Sequence, residues 1–341
     1  VNEKKIFNLI SYVFIFACVI SLLTIENAEA KVKKNIKASP ALRHAALVMD
    51  YSSGNILFQE HANKPRYPAS LTKMMTLYLT FDAIKKGLIN QNDSIKVSTH
   101  AASRPKMNLG LIAGQKISLH DAVMATIVKS ANDAAVVLAE AVAGSEENFA
   151  RKMTEIAHKL GMHHSYFKNS SGLHHAEQRT TAHDMAKLAI ALKRDFPEYY
   201  HLFSKTSFIY KGETHYGHNR VLKTFPGATG LKTGFINASG FNLVTSAARG
   251  NTKLIGVVMG GDTAKARDSK MTSLLNKYFA TTEEVNQTSQ LVVPESPSIK
   301  KTLPKKRSKI VKPKTSKELN KLKSSHFTKP TKINKKKHKA Q

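Results

Sequence analysis

The hydrophobic period of this chain changes in a fixed order, and that order limits the folds open to it. Two short apolar runs, Ala45–Tyr51 and Ile56–Phe58, are split by Ser52-Ser53-Gly54-Asn55, the pattern of strand, tight turn, strand. From Ser70 the period becomes helical. Met74, Met75, Leu77, Tyr78, Leu79, Phe81 and Ile84 mark a helix from about Ser70 to the stop at Gly87. Further helices are predicted over Ser118–Val128, Asp133–Ala143, Phe149–Leu160 and Thr181–Phe196, with a short strand at Asp93–Val97 and loops at 109–114 and 167–173. The first two of these are separated by an interruption at Lys129-Ser130-Ala131-Asn132. Strand character returns at Ser207–Tyr210 and the segment to Leu222, then at Gly230–Ile236, Gly240–Ser246 and Leu254–Met259. Residues 264–279 form a last helix. Strands, then helices, then strands with a terminal helix imply an α+β fold with a mostly antiparallel sheet flanked by helices.

The ends of the chain are of another kind. Lysine and arginine total 53 against 24 acids, a net +29, and residues 300–341 alone hold 17 basic residues and one acid, Glu318. From Thr281 onward apolar residues are sparse, so residues 281–341 are expected to be a Lys-rich disordered tail. At the other end, Lys4 and Lys5 precede an uncharged apolar run, Ile6–Ile25, followed by Ala28-Glu29-Ala30. This is a targeting pattern with cleavage expected after Ala30, giving a signal peptide over 1–30 and a basic linker over 31–40. An uncleaved anchor is the alternative, because a run of 20 residues is long enough to span a bilayer. Either reading exports the remainder to the periplasm or cell envelope. The single cysteine, Cys18, lies inside the apolar run, so the cleaved chain has neither disulfides nor thiol chemistry.

Within residues 41–280 three short motifs stand in order. Ser70-Leu71-Thr72-Lys73 opens a helix, Ser130-Ala131-Asn132 interrupts two helices, and Lys232-Thr233-Gly234 lies in a strand. Each alone is weak. Together they are the combination of serine β-lactamases and penicillin-binding proteins. The residue chemistry fits that pattern. A serine hydroxyl is a poor nucleophile until a base takes its proton. With no cysteine, and no histidine identifiable as its partner, Lys73, one helical turn from Ser70, is the candidate base. Its ordinary pKa of about 10.4 has to fall through burial or a neighbouring cation. Lys232 is the candidate cation and also an attractor for a substrate carboxylate. Ser130 offers a hydroxyl for passing the proton to a leaving amine, and Asn132 an amide for the substrate backbone. Thr233 offers a hydrogen bond to the carboxylate, and Gly234 leaves room for close backbone approach.

Over roughly residues 41–280 the chain resembles the D-alanyl-D-alanine carboxypeptidases, low-molecular-mass penicillin-binding proteins of peptidase family S11. The resemblance is carried by Pro68-Ala69-Ser70-Leu71-Thr72-Lys73-Met74-Met75-Thr76, Ser130-Ala131-Asn132-Asp133-Ala134-Ala135, and Phe167-Lys168-Asn169 with Gly172-Leu173. It continues in Gly230-Leu231-Lys232-Thr233-Gly234-Phe235 and Gly240-Phe241-Asn242-Leu243-Val244. It implies a β-lactamase/penicillin-binding-protein-like transpeptidase fold and removal of the terminal D-alanine from peptidoglycan pentapeptides through a Ser70 acyl-enzyme. It further implies covalent inhibition by β-lactams, no cofactor, and an oxyanion hole made by the backbone amides of Ser70 and Phe235. Thr229 stands where many members carry Asp, and Ile236 where several carry Thr. A second β-rich domain and an amphipathic C-terminal anchor are not legible in residues 281–341.

Three rivals remain at this level. A class A-like β-lactamase shares the motifs, but its Glu-x-x-Leu-Asn segment is missing between Asn132 and Lys232. A zinc peptidase is suggested by His163-His164, His174-His175 and His215-Tyr216-Gly217-His218, though no spacing supplies a third ligand and no metal is expected. An envelope-binding protein is suggested by the tail, whose charge suits anionic headgroups, lipopolysaccharide or peptidoglycan carboxylates; after export no nucleic-acid partner is expected. Lys129 reads as a solvated charge, and Asn169, Ser170 and Gly172 as a structural turn.

Overall fold

The computed structural model describes residues 43–291, Lys106 excepted, with side chains to Thr282. The expected signal peptide, the linker and the tail beyond 291 lie outside the described residues.

Five strands form one antiparallel sheet in the order β2-β1-β9-β8-β7. They are β1 (Ala45–Asp50), β2 (Ile56–Glu60), β7 (Ala228–Ile236), β8 (Gly240–Arg249) and β9 (Thr252–Gly261). The first hairpin and the last three strands therefore meet in the middle, where β1 pairs with β9. Alternation along β1 divides its side chains between two cores. Leu47 and Met49 join the large cluster beneath the helices, while Ala46 and Val48 join a smaller one. β9 divides likewise: Ile255, Val257 and Met259 face the helices, and Leu254 and Val258 face the other way. Both faces are covered, which is why β9 reads as an unbroken apolar run rather than an alternating one.

The smaller core is closed by the terminal helix, whose Met271, Leu275 and Phe279 pack on the sheet. Gly256 makes this contact possible, since a Cβ there would stand 2.4 Å from the Met271 sulfur. That helix runs over Ala264–Leu291, past the end expected at 279. No glycine or proline interrupts residues 280–291, so the backbone continues as helix where little apolar surface remains to bury. The last residues of the helix, 281–291, overlap the start of the Lys-rich segment expected from 281.

On the opposite face lie α1 (Thr72–Lys85), α2 (Leu119–Met124), α3 (Asn132–Ala143), α4 (Glu146–Lys159) and α5 (Ala182–Asp195). α1 is buried almost all round, as a helix enclosed by α3, α4 and α5 must be. It stops at Gly87, which takes a φ of +68°. α4 begins three residues before the expected Phe149, with the Ser145 hydroxyl accepting from the Asn148 amide. A short strand β3 (Ser94–Lys96) pairs with β4 (Lys116–Ser118), whose three residues are too few to show a period. β5 (Ser207–Tyr210) and β6 (Glu213–Tyr216) form a hairpin across Lys211-Gly212, both in the left-handed region. The strand expected to reach Leu222 ends at Tyr216. Asn219 instead caps a short helical turn, Arg220–Thr224.

An aromatic cluster ties α1 to the segment after α5. Phe81, 1% exposed, stacks on Tyr199 with centroids 4.7 Å apart and meets Phe203 edge-on at 6.4 Å. Replacing Phe81 with Ala is expected to lower stability by about 3–5 kcal/mol, read as a fall in the denaturant midpoint; a change under about 1 kcal/mol would show that the cluster does not hold α1.

Candidate active site

Ser70 does not sit in the α-helix as expected. A single 3₁₀ turn, Ala69–Leu71, carries it, and α1 begins at Thr72. Three distant segments fix this turn. Asn242 on β8 donates its amide N–H groups to the carbonyls of Tyr67 and Pro68 at 3.1 and 3.2 Å. Gly172 lies so close that a Cβ would stand 1.8 Å from the Ala69 oxygen, and its φ of +86° suits glycine alone. On the β7 side, a Cβ at Gly234 would stand 3.0 Å from the Ser70 nitrogen. The space that Gly234 provides is therefore occupied by the chain's own turn, and it brings the Ser70 amide beside the strand that carries Phe235.

Lys73 is wholly buried. Its Nζ donates to Asn132 Oδ1 at 2.7 Å and the Ser171 carbonyl at 2.6 Å, and lies 3.1 Å from Ser70 Oγ. Burial first, and the Lys232 ammonium second, hold it well below the usual lysine range, against the opposing charges of Asp133 and Glu146. Two of its three partners are amide oxygens, which only accept. A neutral amine donates its two hydrogens to those oxygens and turns its lone pair toward the Ser70 hydroxyl.

Ser130 ends a π-turn, Ala125–Lys129, in the left-handed conformation at φ +62°. Lys232 Nζ donates to its Oγ at 2.8 Å and to the Thr233 carbonyl at 3.1 Å. Burial, and secondarily the Arg267 charge, push Lys232 down to about 7. Asn132 is the first residue of α3, after Ala131 at the cap position, and its side chain makes no cap. The amide is divided between Lys73 and the Pro105 carbonyl, the latter at 3.0 Å.

Lys129 is not the solvated charge expected from the sequence. It is half-buried, with Nζ 3.1 Å from Nδ1 of His215, a buried ring packed against Phe208. The Asn169–Gly172 turn is structural, as its composition suggests, and it also presents the Ser171 carbonyl to Lys73. Glu146 holds that turn by accepting from the Ser170 amide and hydroxyl at 2.9 and 2.7 Å. Burial raises the Glu146 pKa, but Ser170 and His100 outweigh it and bring the carboxyl below its ordinary value. Thr229 joins a chain of hydroxyls instead of supplying a charge: its Oγ1 lies 2.7 Å from Ser246 Oγ, which accepts from Tyr200 at 2.8 Å.

Ser70, Ser130, Thr233, Gly234 and Phe235 line one cleft of about 590 Å³. Met107 and the stacked pair Phe235–Phe241, at 4.3 Å, give it an apolar wall. Among the described residues no three His, Cys, Asp or Glu side chains come together as a metal site, and no helix is long and apolar enough to cross a membrane. Ser171, Glu146 and Arg267 were not singled out in the sequence, and Asn242 stood only within the quoted Gly240–Val244 segment, with no role assigned; its signal was a polar amide in an otherwise apolar strand.

Comparison with known proteins bears on this arrangement. The sequence profile of the peptidase S11 family, described as D-alanyl-D-alanine carboxypeptidase, matches residues 30–263. The chain is 32% identical over 263 residues to the D-alanyl-D-alanine carboxypeptidase DacF of Bacillus subtilis, covering 74% of this chain and 66% of that one. It is 37% identical over 237 residues to DacD of Escherichia coli, covering 67% and 61%. It thus spans slightly less than two thirds of either relative. The fold superimposes on penicillin binding protein 5 of Haemophilus influenzae with a TM-score of 0.67 at 34% identity, covering 69% of this chain and 70% of that one. It also matches the ampicillin-bound penicillin-binding protein D2 of Listeria monocytogenes, TM-score 0.59 and 28% identity over 67% and 94% of the two chains. By sequence profile, relatives and fold alike, the chain belongs to the D-alanyl-D-alanine carboxypeptidase family, peptidase family S11.

Proposed function

We propose that this protein is a serine D-Ala-D-Ala carboxypeptidase acting on peptidoglycan stem peptides. The observation that carries the reading is the Lys73 amine, buried and held by two acceptor-only oxygens so that its lone pair faces Ser70 Oγ at 3.1 Å. In this reading Lys73 takes the hydroxyl proton and Oγ attacks the carbonyl carbon between the last two D-alanines. The Ser70 and Phe235 amides receive the developing oxyanion; removing one such donor typically costs roughly 2.7–4 kcal/mol of transition-state stabilisation. Ser130, hydrogen-bonded to Lys232, passes the proton to the leaving nitrogen, and D-alanine departs with its carboxylate held at Lys232 and Thr233. Asn132 supports the substrate backbone with its second N–H. Water then cleaves the Ser70 ester. A β-lactam enters the same sequence, but its leaving nitrogen stays tethered to the acyl group, so it blocks the approach of water and the adduct persists.

The catalytic unit in this proposal is residues 41–280, with 1–30 directing export to the periplasm or cell envelope. The basic tail, 281–341, gives it residence on an anionic envelope surface.

A fluorescent penicillin is expected to label Ser70, with the adduct mapped to that residue and lost in Ser70→Ala. A label on another serine, or none, would defeat the proposal, and rapid release of the label would favour a β-lactamase instead.

The two lysines also set a pH profile. Acylation needs Lys73 neutral, so it rises as pH climbs through a value well below the ordinary lysine range. It needs Lys232 charged, so it falls as pH climbs through about 7. In Lys232→Arg, whose charge persists across this range, the descending limb of Ser70 labelling should disappear while the ascending limb stays. An unmoved descending limb would show that Lys232 does not set it.

A further inference from the structure

The cleft carries more positive charge than one terminal carboxylate requires. Its wall presents Arg220, Lys223 and Arg267, with His218 beside them, and among the described residues no aspartate or glutamate lines it. Arg267 is already engaged: it pairs with Asp268 at 2.7 Å and donates to the Asn242 carbonyl at 3.0 Å. Arg220 and Lys223 are exposed and enter no ion pair among the described residues. Both stand on the short helical turn Arg220–Thr224, which packs against β7.

The position of Lys223 gives this excess a direction. With His218 it lines both the main cleft and an adjoining recess shared with Lys232 and Thr233. In the proposed reaction those two residues hold the carboxylate of the departing residue, so the extra cations border the leaving group. These cations also repel one another. Lys232, Lys129 and Lys223 all add to burial in holding His218 below its usual value, and Arg220 acts with burial against Arg267, whose guanidinium stays charged beside Asp268. Arg220 and Lys223, set on a concave wall with no counterion among the described residues, add a positive potential that a bound anion relieves.

Resting on the carboxypeptidase reading, we propose that Arg220 and Lys223 form a second anion subsite on the leaving-group side of the cleft. The subsite selects substrates whose departing residue carries a further carboxylate besides its terminal one. D-alanine fills the first position and leaves the second unused. A departing acidic residue fills both.

The experiment compares two matched peptides, N-acyl-D-alanyl-D-alanine and N-acyl-D-alanyl-D-glutamate, by kcat/KM at low and high salt. The wild-type protein should favour the glutamate peptide at low salt and lose part of that preference at high salt. The double variant Arg220→Gln/Lys223→Gln should lower the glutamate-to-alanine ratio about tenfold, the effect of one or two charge-assisted contacts. Lys253→Gln, which removes an exposed charge on β9, should leave the ratio unchanged. An unchanged ratio in the double variant, an equal fall in the Lys253 variant, or no preference in the wild type would overturn the subsite. Penicillin labelling at Ser70 reports separately on the fold and on the reaction. Absence of both labelling and turnover in the wild type would overturn the carboxypeptidase reading, and the subsite with it.

Discussion

A fully buried lysine amine is the constraint on which the rest of this structure depends. Lys73 must be dry to be neutral, and a dry amine must have every hydrogen accounted for. The chain meets both demands with parts drawn from far apart: Asn132 after a π-turn, Ser171 in a loop held by Glu146, and Ser70 on a turn pinned by β8. Asn132 and Ser171 are themselves buried and hydrogen-bonded, while Ser70 is half-buried at the cleft. The architecture around the cleft is the set of second partners that keeps those first partners still.

Lys232 shows the cost in stability. Its fall from 10.5 to about 7 in a fully buried position corresponds to roughly 5 kcal/mol of differential interaction. The unfolded chain protonates this lysine through its ordinary range, whereas the fold resists protonation until about 7. The full stability of the native state with respect to this group is therefore present only above pH 10.5, and the loss is complete as pH falls through about 7. At neutral pH most of that cost is borne by the two cores on either side of the sheet. Ser130 and the Thr233 carbonyl recover part of it whenever the amine is charged.

Much of this site is legible in the sequence because helix and strand periods place the motif residues on known faces. The order of strands and helices foretold the sheet, and the interruption at Lys129–Asn132 foretold a break that the π-turn supplies. What the sequence hid has a common physical character. The Ser171 contact uses a backbone oxygen, which any residue has, across 98 positions. Lys129 reads as solvent-exposed because its partner, His215, lies on a hairpin 86 residues away. The two-residue delay of α1 depends on Asn242 and Gly172 gripping the entering chain, so no local pattern announces it. The terminal helix runs past 279 because no glycine or proline in residues 280–291 breaks it.

The place of β7 at the end of the sheet has a consequence for how these molecules behave together. An outermost strand offers a row of backbone donors and acceptors to any extended chain, including the same strand of another copy, and unguarded edges of this kind promote aggregation. Here the edge lies along the cleft with Arg220, Lys223 and Arg267 around it. Two copies meeting edge to edge would press identical positive rims together, while a carboxylate-bearing peptide meets the same rim as attraction. One distribution of charge thus separates guest from sibling, keeping an edge open for a ligand without letting it become a seam between molecules.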